Sequence, residues 1–350
     1  MKKTGSKLEI QAQEAIEACL SSASISIDFV EKMADSVANS VDFLVKLTTP
    51  VGKFEFIMEV KSSGQPRIVR GAVGTLLMLK RSYPKAYGVV VAPYISAESA
   101  AILSTENVGF VDFAGNCRIN FRGIFIERSG QAPPAAARRE QRSLFTPKAT
   151  RVLRVLLENP KKKWRISELA KEAGVSLGQT FNVKKLLLYR EFVEVDDDGL
   201  VLKTPEKLLN GWAVAYVPRK NWSEYFTLKS PAEFEAELAK FCDAKGIPYA
   251  LMGFSAALRY APMVRSNRAM AYVSGDPDAI ARELGLKVVT SGANVVIAIP
   301  SDEGVYYGSQ EIDGMKIVPP LQAYLDLVGF RGRGDEAAKD VLERKIKPTW

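Results

Sequence analysis

The first third of the chain changes from one hydrophobic period to another. Residues 8–35 open with apolar positions at helical spacing, which predicts a helix. Between residues 40 and 61 apolar and polar residues alternate instead, which predicts two strands joined by a turn at TPVG, residues 49–52. The apolar face of the two strands carries Val41, Phe43, Val45 and Leu47, and then Phe56, Met58 and Val60.

Helices and strands continue to alternate up to residue 128. This order predicts an α/β domain over residues 1–130. Its remaining predicted elements are a helix at 68–82, a strand at 87–93, a helix at 96–105, a strand at 108–113 and a pair of strands that ends near 128.

Residues 131–145 are predicted to be a linker, because SGQAPPAAARREQRS (129–143) is rich in Pro, Ala and Arg. The next predicted domain covers residues 146–205. It begins with helices at 146–160, 167–174 and 175–192, for which Thr146, Ser167 and Ser176 are the predicted N-caps. VEVDDDGLVLKTP (193–205) then predicts a β-hairpin.

Three short helices with a glycine turn at Gly174, followed by a hairpin, are typical of a winged helix-turn-helix. In that motif the third helix enters the major groove, where Asn and Gln suit adenine and Lys suits guanine or phosphate. The residues predicted to read bases are Ser176, Gln179, Asn182, Lys184 and Lys185, and those predicted to contact phosphates are Arg151, Arg154, Lys161, Lys162 and Lys163.

Charge supports this interpretation. The chain carries a net +8, and the segment from Arg138 to Arg190 alone has fourteen Lys and Arg against four Glu, a net +10. A basic block inside a nearly neutral protein is the electrostatic footprint of nucleic-acid binding, so double-stranded DNA is the expected partner. Two alternatives stay open: a solvated basic face, or a winged helix that contacts only protein. The acidic wing tip, Asp196 to Asp198, favours the second alternative because it would repel phosphate.

The predicted hairpin brings charged residues together. If TPVG is the loop, Thr48 pairs with Lys53, and Asp42 then lies opposite Glu59. Lys61 is two residues from Glu59 and shares its face. Two carboxylates can hold Mg²⁺ while a lysine orients a water, so Asp42, Glu59 and Lys61 are candidate catalytic residues, with Asp42 and Glu59 as metal ligands. Glu14 or Glu17 of the preceding helix could join them.

This arrangement resembles the PD-(D/E)XK nuclease superfamily, over about residues 8–128. The resemblance lies in an acidic residue, then Glu-x-Lys on the next strand, within an α-β-β-β-α-β order. It implies a nuclease-like fold and, if the site is active, a Mg²⁺-dependent deoxyribonuclease. The sequence departs from the pattern because Asp42 lies within a strand. A nuclease-like fold without turnover, or an ordinary surface charge cluster, would explain the same residues.

The last predicted domain covers residues 206–350. MGFSAALRYAPM (252–263), followed by the strand RAMAYVSG, resembles the opening of a nucleotidyltransferase fold. That strand carries Ala269, Ala271 and Val273 where active members carry paired aspartates, so nucleotide transfer is not expected. Its predicted strands are at 249–253, 269–275 and 294–300, and its predicted helices are at 231–244, 277–284, 318–327 and 334–344.

A wider resemblance covers roughly residues 146–350. GFSAALRYAPM, ANVVIAIPSDEGV and VPPLQAYLDLVGFRGRGDEAAKDVL are similar to AbiEi-type antitoxins of type IV toxin-antitoxin systems, in their transcriptional-regulator branch. The resemblance implies a DNA-binding regulator of its own operon that opposes a nucleotidyltransferase-like toxin, in an abortive-infection system. The rival hypothesis is a Mg²⁺-dependent DNA endonuclease targeted by its winged helix.

Composition excludes several other classes. The chain has no histidine, which removes Ser-His-Asp and Cys-His catalysis and His-ligated zinc. The three cysteines form no CxxC pair, and no apolar run is long enough to span a membrane. We therefore expect a cytoplasmic protein without a membrane partner, α/β and α+β in class, with several domains.

Overall fold

The computed structural model describes residues 6–21, 23, 25–32, 42–49, 51–135, 143–216, 222–261, 267–330 and 333–350. The chain forms two compact units. The first comprises Met1–Arg142 and Leu186–Glu191, and the second comprises Ser143–Lys185 and Phe192–Trp350. Helices and several sheets confirm a mixed α/β architecture. No helix among the described residues has the length and apolar character needed to cross a membrane.

The first unit is built on a seven-stranded sheet whose strands lie in chain order. Strands β3, β4 and β5 are mutually parallel, and every other neighbouring pair is antiparallel. Its elements are α1 (Lys7–Ser21), β1 (Ser26–Lys32), β2 (Phe43–Thr49), β3 (Gly52–Val60), α2 (Pro66–Leu79), β4 (Tyr87–Ala92), α3 (Ala97–Thr105), β5 (Gly109–Asp112), β6 (Cys117–Phe121) and β7 (Ile124–Arg128).

The prediction of one helix over residues 8–35 is wrong in its second half. Helix α1 ends at Ser21, and residues 26–32 form β1, which pairs antiparallel with β2. A seven-residue strand contains too few residues for its period to stand out beside a helix, and its pairing with β2 decides its conformation. Residues 33–35, Val41, Pro50 and the linker segment 136–142 lie outside the described residues.

The two faces of this sheet pack against different helices. Buried residues of α1, such as Ile16, pack with Phe56 and Met58 of β3. Ile57, between them in sequence, packs with Leu76 of α2 on the other face. This alternation is the period-two pattern that the sequence showed, and it fixes which side chains of β3 can meet.

Three helices and a hairpin follow the first sheet, and they belong to the second unit except for the end of the third helix, from Leu186, which belongs to the first unit. Ser176 accepts a hydrogen bond from the backbone N–H of Gln179, 3.2 Å away, which confirms it as a cap. Thr146 occupies the predicted N-cap position, but its side chain makes no capping hydrogen bond. The prediction for Ser167 is wrong, because Arg165 precedes that helix. These elements are α4 (Pro147–Glu158), α5 (Ile166–Glu172), α6 (Leu177–Tyr189), β8 (Val193–Asp196), β9 (Gly199–Leu202) and α7 (Pro205–Ala215).

The C-terminal part of this unit is a second seven-stranded sheet in the order β13-β10-β14-β12-β11-β16-β15. The predicted strands and helices are present here. Sequence reasoning did not find β10, α9, β13 or the β15–β16 hairpin, because elements of two to eight residues are too short to show a clear period. Its elements are β10 (Trp222–Phe226), α8 (Pro231–Lys245), β11 (Tyr249–Leu251), α9 (Gly253–Tyr260), β12 (Ala269–Val273), α10 (Pro277–Glu283), β13 (Lys287–Val288), β14 (Val295–Ala298), β15 (Gln310–Ile312), β16 (Met315–Ile317), α11 (Pro320–Leu327) and α12 (Gly334–Val341).

The hairpin is held against the helices at one close backbone contact. Trp164 and Leu200 exchange two backbone hydrogen bonds of 2.8 and 2.9 Å. Gly199, next to Leu200, has φ of +145°, and a Cβ there would lie 2.8 Å from the carbonyl oxygen of Trp164. The position therefore requires glycine both for its backbone conformation and for space.

We predict that Gly199→Ala destabilises the second unit by about 1–3 kcal/mol. Gly246→Ala is the matched control, because Gly246 also has a positive φ but has open space around it, and it should cost about 1 kcal/mol. Urea unfolding followed by tryptophan fluorescence measures both, since every tryptophan of the chain lies beyond residue 160. Equal costs for the two variants would contradict the role given to the Trp164 contact.

Candidate nucleic-acid interface and carboxylate site

Helix α6 has one buried side. Thr180, Val183 and Leu187 are each at most 1% exposed, and they recur at the three-to-four spacing of one helix face. The hydrophobic positions of the sequence therefore fix the rotation of α6 about its axis. The side opposite these residues is presented to solvent.

The solvent side of α6 differs in part from the set predicted to read bases. Asn182 and Lys185 are exposed on it, and Ser176 is exposed at the cap. Gln179 and Lys184 lie at the two edges of this side and are partly buried. Sequence reasoning missed two apolar residues, Leu177 and Phe181, which lie on the outward side as well.

The three lysines after α4 are all exposed, but two of them have carboxylate partners. Lys162 lies 2.6 Å from a carboxylate oxygen of Glu168, and its ammonium is 3.7 Å from the centre of the Trp164 ring. Lys163 lies 2.8 Å from both Asp196 and Asp198 at the hairpin tip.

The lysine at the hairpin tip changes the electrostatics expected from the sequence. Lys163 lowers the pKa of Asp196, so this carboxylate stays charged and paired. The tip therefore carries less negative charge than the Asp-Asp-Asp run suggests. An anion would have to compete with these aspartates for Lys163, whereas Lys161 has no carboxylate partner among the described residues.

The prediction that Arg154 contacts phosphate is wrong. Its side chain is inside the second unit, 4% exposed, and its Nη2 donates to Oε1 of Gln322 on α11, 2.5 Å away. The neighbouring Arg151 is half buried and its Nε donates to both oxygens of Asp302, at 2.8 and 3.0 Å. Both arginines lie on the side of α4 that packs against the C-terminal residues.

Arg154 belongs to a buried polar network that sequence reasoning did not find. Oδ1 of Asp326 accepts hydrogen bonds from Tyr272, Tyr216 and Gln322, at 2.7, 3.1 and 2.6 Å. Burial raises the pKa of Asp326 to about 6, although its three hydrogen bonds and Arg154 oppose that shift. The members are far apart in sequence, so the only available signal was the polar pair Gln-x-x-x-Asp inside an otherwise apolar helix.

The hairpin register that places the N-terminal carboxylates is confirmed. Thr48 pairs with Lys53 and Phe43 with Met58. Asp42, just before β2, donates its N–H to the carbonyl of Met58 at 3.1 Å, and its Oδ2 accepts the N–H of Val60 at 2.6 Å. The backbone thus holds the Asp42 carboxylate at the end of β3.

Glu59 is 5% exposed. Its Oε1 pairs with the ammonium of Lys61. Its Oε2 is buried without a hydrogen-bond partner in the part of the chain that the structure describes. Burial raises the pKa of Glu59, Asp42 raises it further, and Lys61 opposes both. A buried oxygen without a partner has a large desolvation cost, which a cation would relieve.

The acidic residues of α1 are not placed to complete a metal shell. Buried residues of α1 pack on the sheet face that carries Phe56 and Met58. Glu59 is on the opposite face of the sheet, together with Ile57. Among the described residues, no group of three or more Asp, Glu or Cys side chains forms a candidate metal site. Glu14 and Glu17 are therefore not ligands in this arrangement. Two carboxylates fit Mg²⁺, which retains several of its waters.

In the C-terminal sheet, β12 is buried along its whole length. The hydroxyl of Ser255, at the start of α9, accepts the N–H of Met270 at 2.8 Å, so this serine holds the helix to the strand. Gly253, with φ of +51°, would place a Cβ 2.9 Å from the side chain of Met270. The glycine and serine therefore have a structural role here.

Comparisons with known proteins concern mainly this last part of the chain. Residues 201–347 match the family model described as "Transcriptional regulator, AbiEi antitoxin, Type IV TA system". The matched residues make up less than half of the chain, and they confirm the predicted resemblance over that range. Helices α4 to α6 lie outside the match. A search of curated proteins finds no match.

A search of solved structures finds a chain titled "Structure of EndoMS in apo form". The identity is 19%, and the alignment covers 29% of this chain and 45% of that chain, with a TM-score of 0.22. The chain thus spans less than half the length of this structure. At that TM-score the match supports no conclusion about the fold or the activity of the first unit.

The raised pKa of Glu59 predicts a pH dependence. The folded state binds this proton more tightly than the unfolded chain, whose value is near 4.5. The stability that Glu59 contributes is therefore full below about pH 4.5 and is lost as the pH rises through the folded-state pKa. Glu59→Gln should remove that loss. Hydrogen-exchange protection of β3 in the full chain, compared between acid and neutral pH, measures it.

Glu55→Gln is the control for this experiment. Glu55 is on the same strand, but its side chain is 43% exposed. This variant should keep the pH dependence of the unmodified protein. If Glu59→Gln kept it too, burial of the Glu59 carboxylate would not be its source.

Proposed function

We propose that this protein is a DNA-binding transcriptional regulator that acts as the antitoxin of a type IV toxin-antitoxin system. The match of residues 201–347 to the AbiEi regulator and antitoxin family carries the proposal. The partner implied by that family description is a toxin, and we take it to be nucleotidyltransferase-like. The C-terminal sheet would be the surface that opposes it.

The C-terminal part is proposed to be a nucleotidyltransferase-like domain without transferase chemistry. The strand after the Gly-Phe-Ser turn, β12, carries Ala269, Ala271 and Val273, and it has no carboxylate pair to hold a metal. Its buried alanines and valine pack instead between α8 and α9. A domain of this kind can bind another protein without acting on nucleotides.

DNA binding is assigned to α4–α6 and the β8–β9 hairpin as a winged helix-turn-helix. The support is the order of the elements, the capped third helix and the polar and basic side chains on its outward side. Arg154 is left out of the interface because it is buried, and Arg151 because it is half buried on the side of α4 that packs against Asp302. The proposed DNA contacts are Ser176, Gln179, Asn182, Lys184, Lys185, Lys161, Lys162 and Lys163.

Binding of the full chain to labelled duplex DNA, followed by fluorescence anisotropy, tests this proposal. Affinity should fall steeply with salt, because each phosphate contact releases counterions. Lys161→Ala should weaken binding to every sequence alike and reduce the slope of log affinity against log salt by about 1. Lys240→Ala is the matched control, because Lys240 is an exposed lysine on α8 of the same unit.

Two results of this experiment would count against the proposed DNA interface. A full chain that binds no duplex even at low salt would contradict the proposal. An equal effect of Lys161→Ala and Lys240→Ala would show a diffuse charge effect rather than an interface on this unit.

A second candidate function, a Mg²⁺-dependent DNA endonuclease, is favoured by one observation: the buried Glu59 Oε2 without a partner beside Asp42 and Lys61. In this proposal Glu59 and Asp42 would hold the cation, and Lys61 would orient the attacking water. A bound Mg²⁺ would polarise the phosphodiester and stabilise its developing charge. The site lies where β3 ends, at the carboxyl edge of three parallel strands, which is a common position for sites in α/β sheets.

Plasmid nicking by the full chain, with and without Mg²⁺ or Mn²⁺, tests the second candidate. Nicking should require the cation and disappear in Glu59→Ala, and calorimetric titration of the cation should lose its heat in the same variant. Glu55→Ala, with an exposed carboxylate on the same strand, should retain both. Absence of nicking together with no binding at millimolar cation would leave Asp42, Glu59 and Lys61 as a structural cluster.

A further inference from the structure

Two large apolar side chains occupy the outward side of α6. Leu177 is 49% exposed and Phe181 is 50% exposed, one helical turn apart. The residues that α6 buries, Thr180, Val183 and Leu187, are on its other side. Adjacent apolar side chains on an outward helix side leave apolar surface in contact with water, and a partner that covers them would remove that surface from water.

Gly178 lies between these residues on the same side. Its φ is not positive, and a Cβ built there would meet no atom within 4 Å. The fold therefore has no steric need for glycine at this position in the first turn of α6. The absence of a side chain leaves room for another surface to approach the backbone closely.

The surroundings of this patch identify the class of partner. Lys184 lies with its ammonium 5.9 Å from the centre of the Phe181 ring, and Asn182 and Lys185 are exposed next to it. Positive charge and an amide around two apolar side chains complement the floor of a major groove, where phosphates flank base edges and thymine methyl groups. A stable protein interface needs about 800 Å² on each partner, far more than two side chains and a glycine provide.

We propose that Phe181, with Leu177 beside it, contacts the methyl groups of thymines in the major groove, and that this contact makes the protein select A·T pairs. This inference rests on the proposed DNA binding and names what the third helix reads. Asn182 acts in the same direction, since its amide matches the major-groove edge of adenine. Gly178 allows the helix axis to come close enough for both contacts.

The experiment compares two duplexes that differ only in the methyl group. The full chain is titrated by anisotropy with alternating d(AT) duplex and with alternating d(AU) duplex, in which uracil replaces thymine. Removal of each contacted methyl should weaken binding about fourfold, because burial of one such group contributes roughly that factor. A second pair, alternating d(GC) with and without 5-methylcytosine, supplies the methyl on a different base pair and should show a gain from it.

Variants assign the effect to a residue. Phe181→Ala should reduce the preference for d(AT) over d(AU), and the double variant that also carries Leu177→Ala should bind the two duplexes equally, while the basic residues keep the salt dependence unchanged. Leu228→Ala is the matched control, because Leu228 is 93% exposed in the same unit but outside α6, and it should preserve the thymine preference. Because Phe181 is half exposed, its truncation should leave the fold intact, and circular dichroism checks this.

Three results would overturn the inference. Equal affinity of the unmodified protein for d(AT) and d(AU) would remove the thymine contact while leaving DNA binding in place. A thymine preference that persists unchanged in the double variant of Leu177 and Phe181 would assign it to other residues. Absence of binding to any duplex at low salt would refute the proposed function itself. In that case, a change of oligomeric state in Phe181→Ala, measured by sedimentation, would assign Leu177 and Phe181 to a contact between proteins.

Discussion

The buried guanidinium of Arg154 is the constraint on which the second unit depends. A charge that is 4% exposed is tolerated only where its hydrogen bonds and an opposite charge offset the loss of water. Gln322 accepts from it, Asp326 lies in the same network, and the ring of Trp212 is 5.0 Å from its guanidinium carbon. Nη1 of Arg154 and Oδ2 of Asp326 have no hydrogen-bond partner among the described residues, so removal of Gln322 or Asp326 would leave still more of this buried charge without compensation.

This network joins parts of the chain that the sequence presents as separate domains. Arg154 is on α4, Trp212 on α7 and Gln322 on α11. Helices α4, α7 and α11 therefore share one interior with the C-terminal sheet. The pair of Arg151 and Asp302, and the hydrogen bond from the Tyr307 hydroxyl to Glu172 at 2.8 Å, add further links.

The same network is one reason why the net charge of the segment from Arg138 to Arg190 is larger than the positive charge on its exposed surface. The basic stretch from Arg138 to Arg190 has a net +10, but its two arginines on α4 are used inside the unit, and two of its lysines face carboxylates. The surface formed by α4 to α6 is therefore less basic than the charge of the segment predicts, and the outward side of α6 also carries Leu177 and Phe181. For the proposed DNA binding, this balance favours contacts to base edges over purely electrostatic contacts to phosphate.

The sequence by itself determined the local order of both units. Period-two alternation gave β2 and β3 and their register, because one apolar face must be buried, and this register placed Asp42 at the end of β3 near Glu59. Helical spacing gave α4 to α6 and the buried side of α6. The tertiary structure alone decided the conformation of residues 26–32, the interior position of Arg154 and the exposure of Phe181. Periodicity reports which face of an element is apolar, but it does not report which other elements cover that face, and the partners of Arg154 lie more than 50 residues away along the chain.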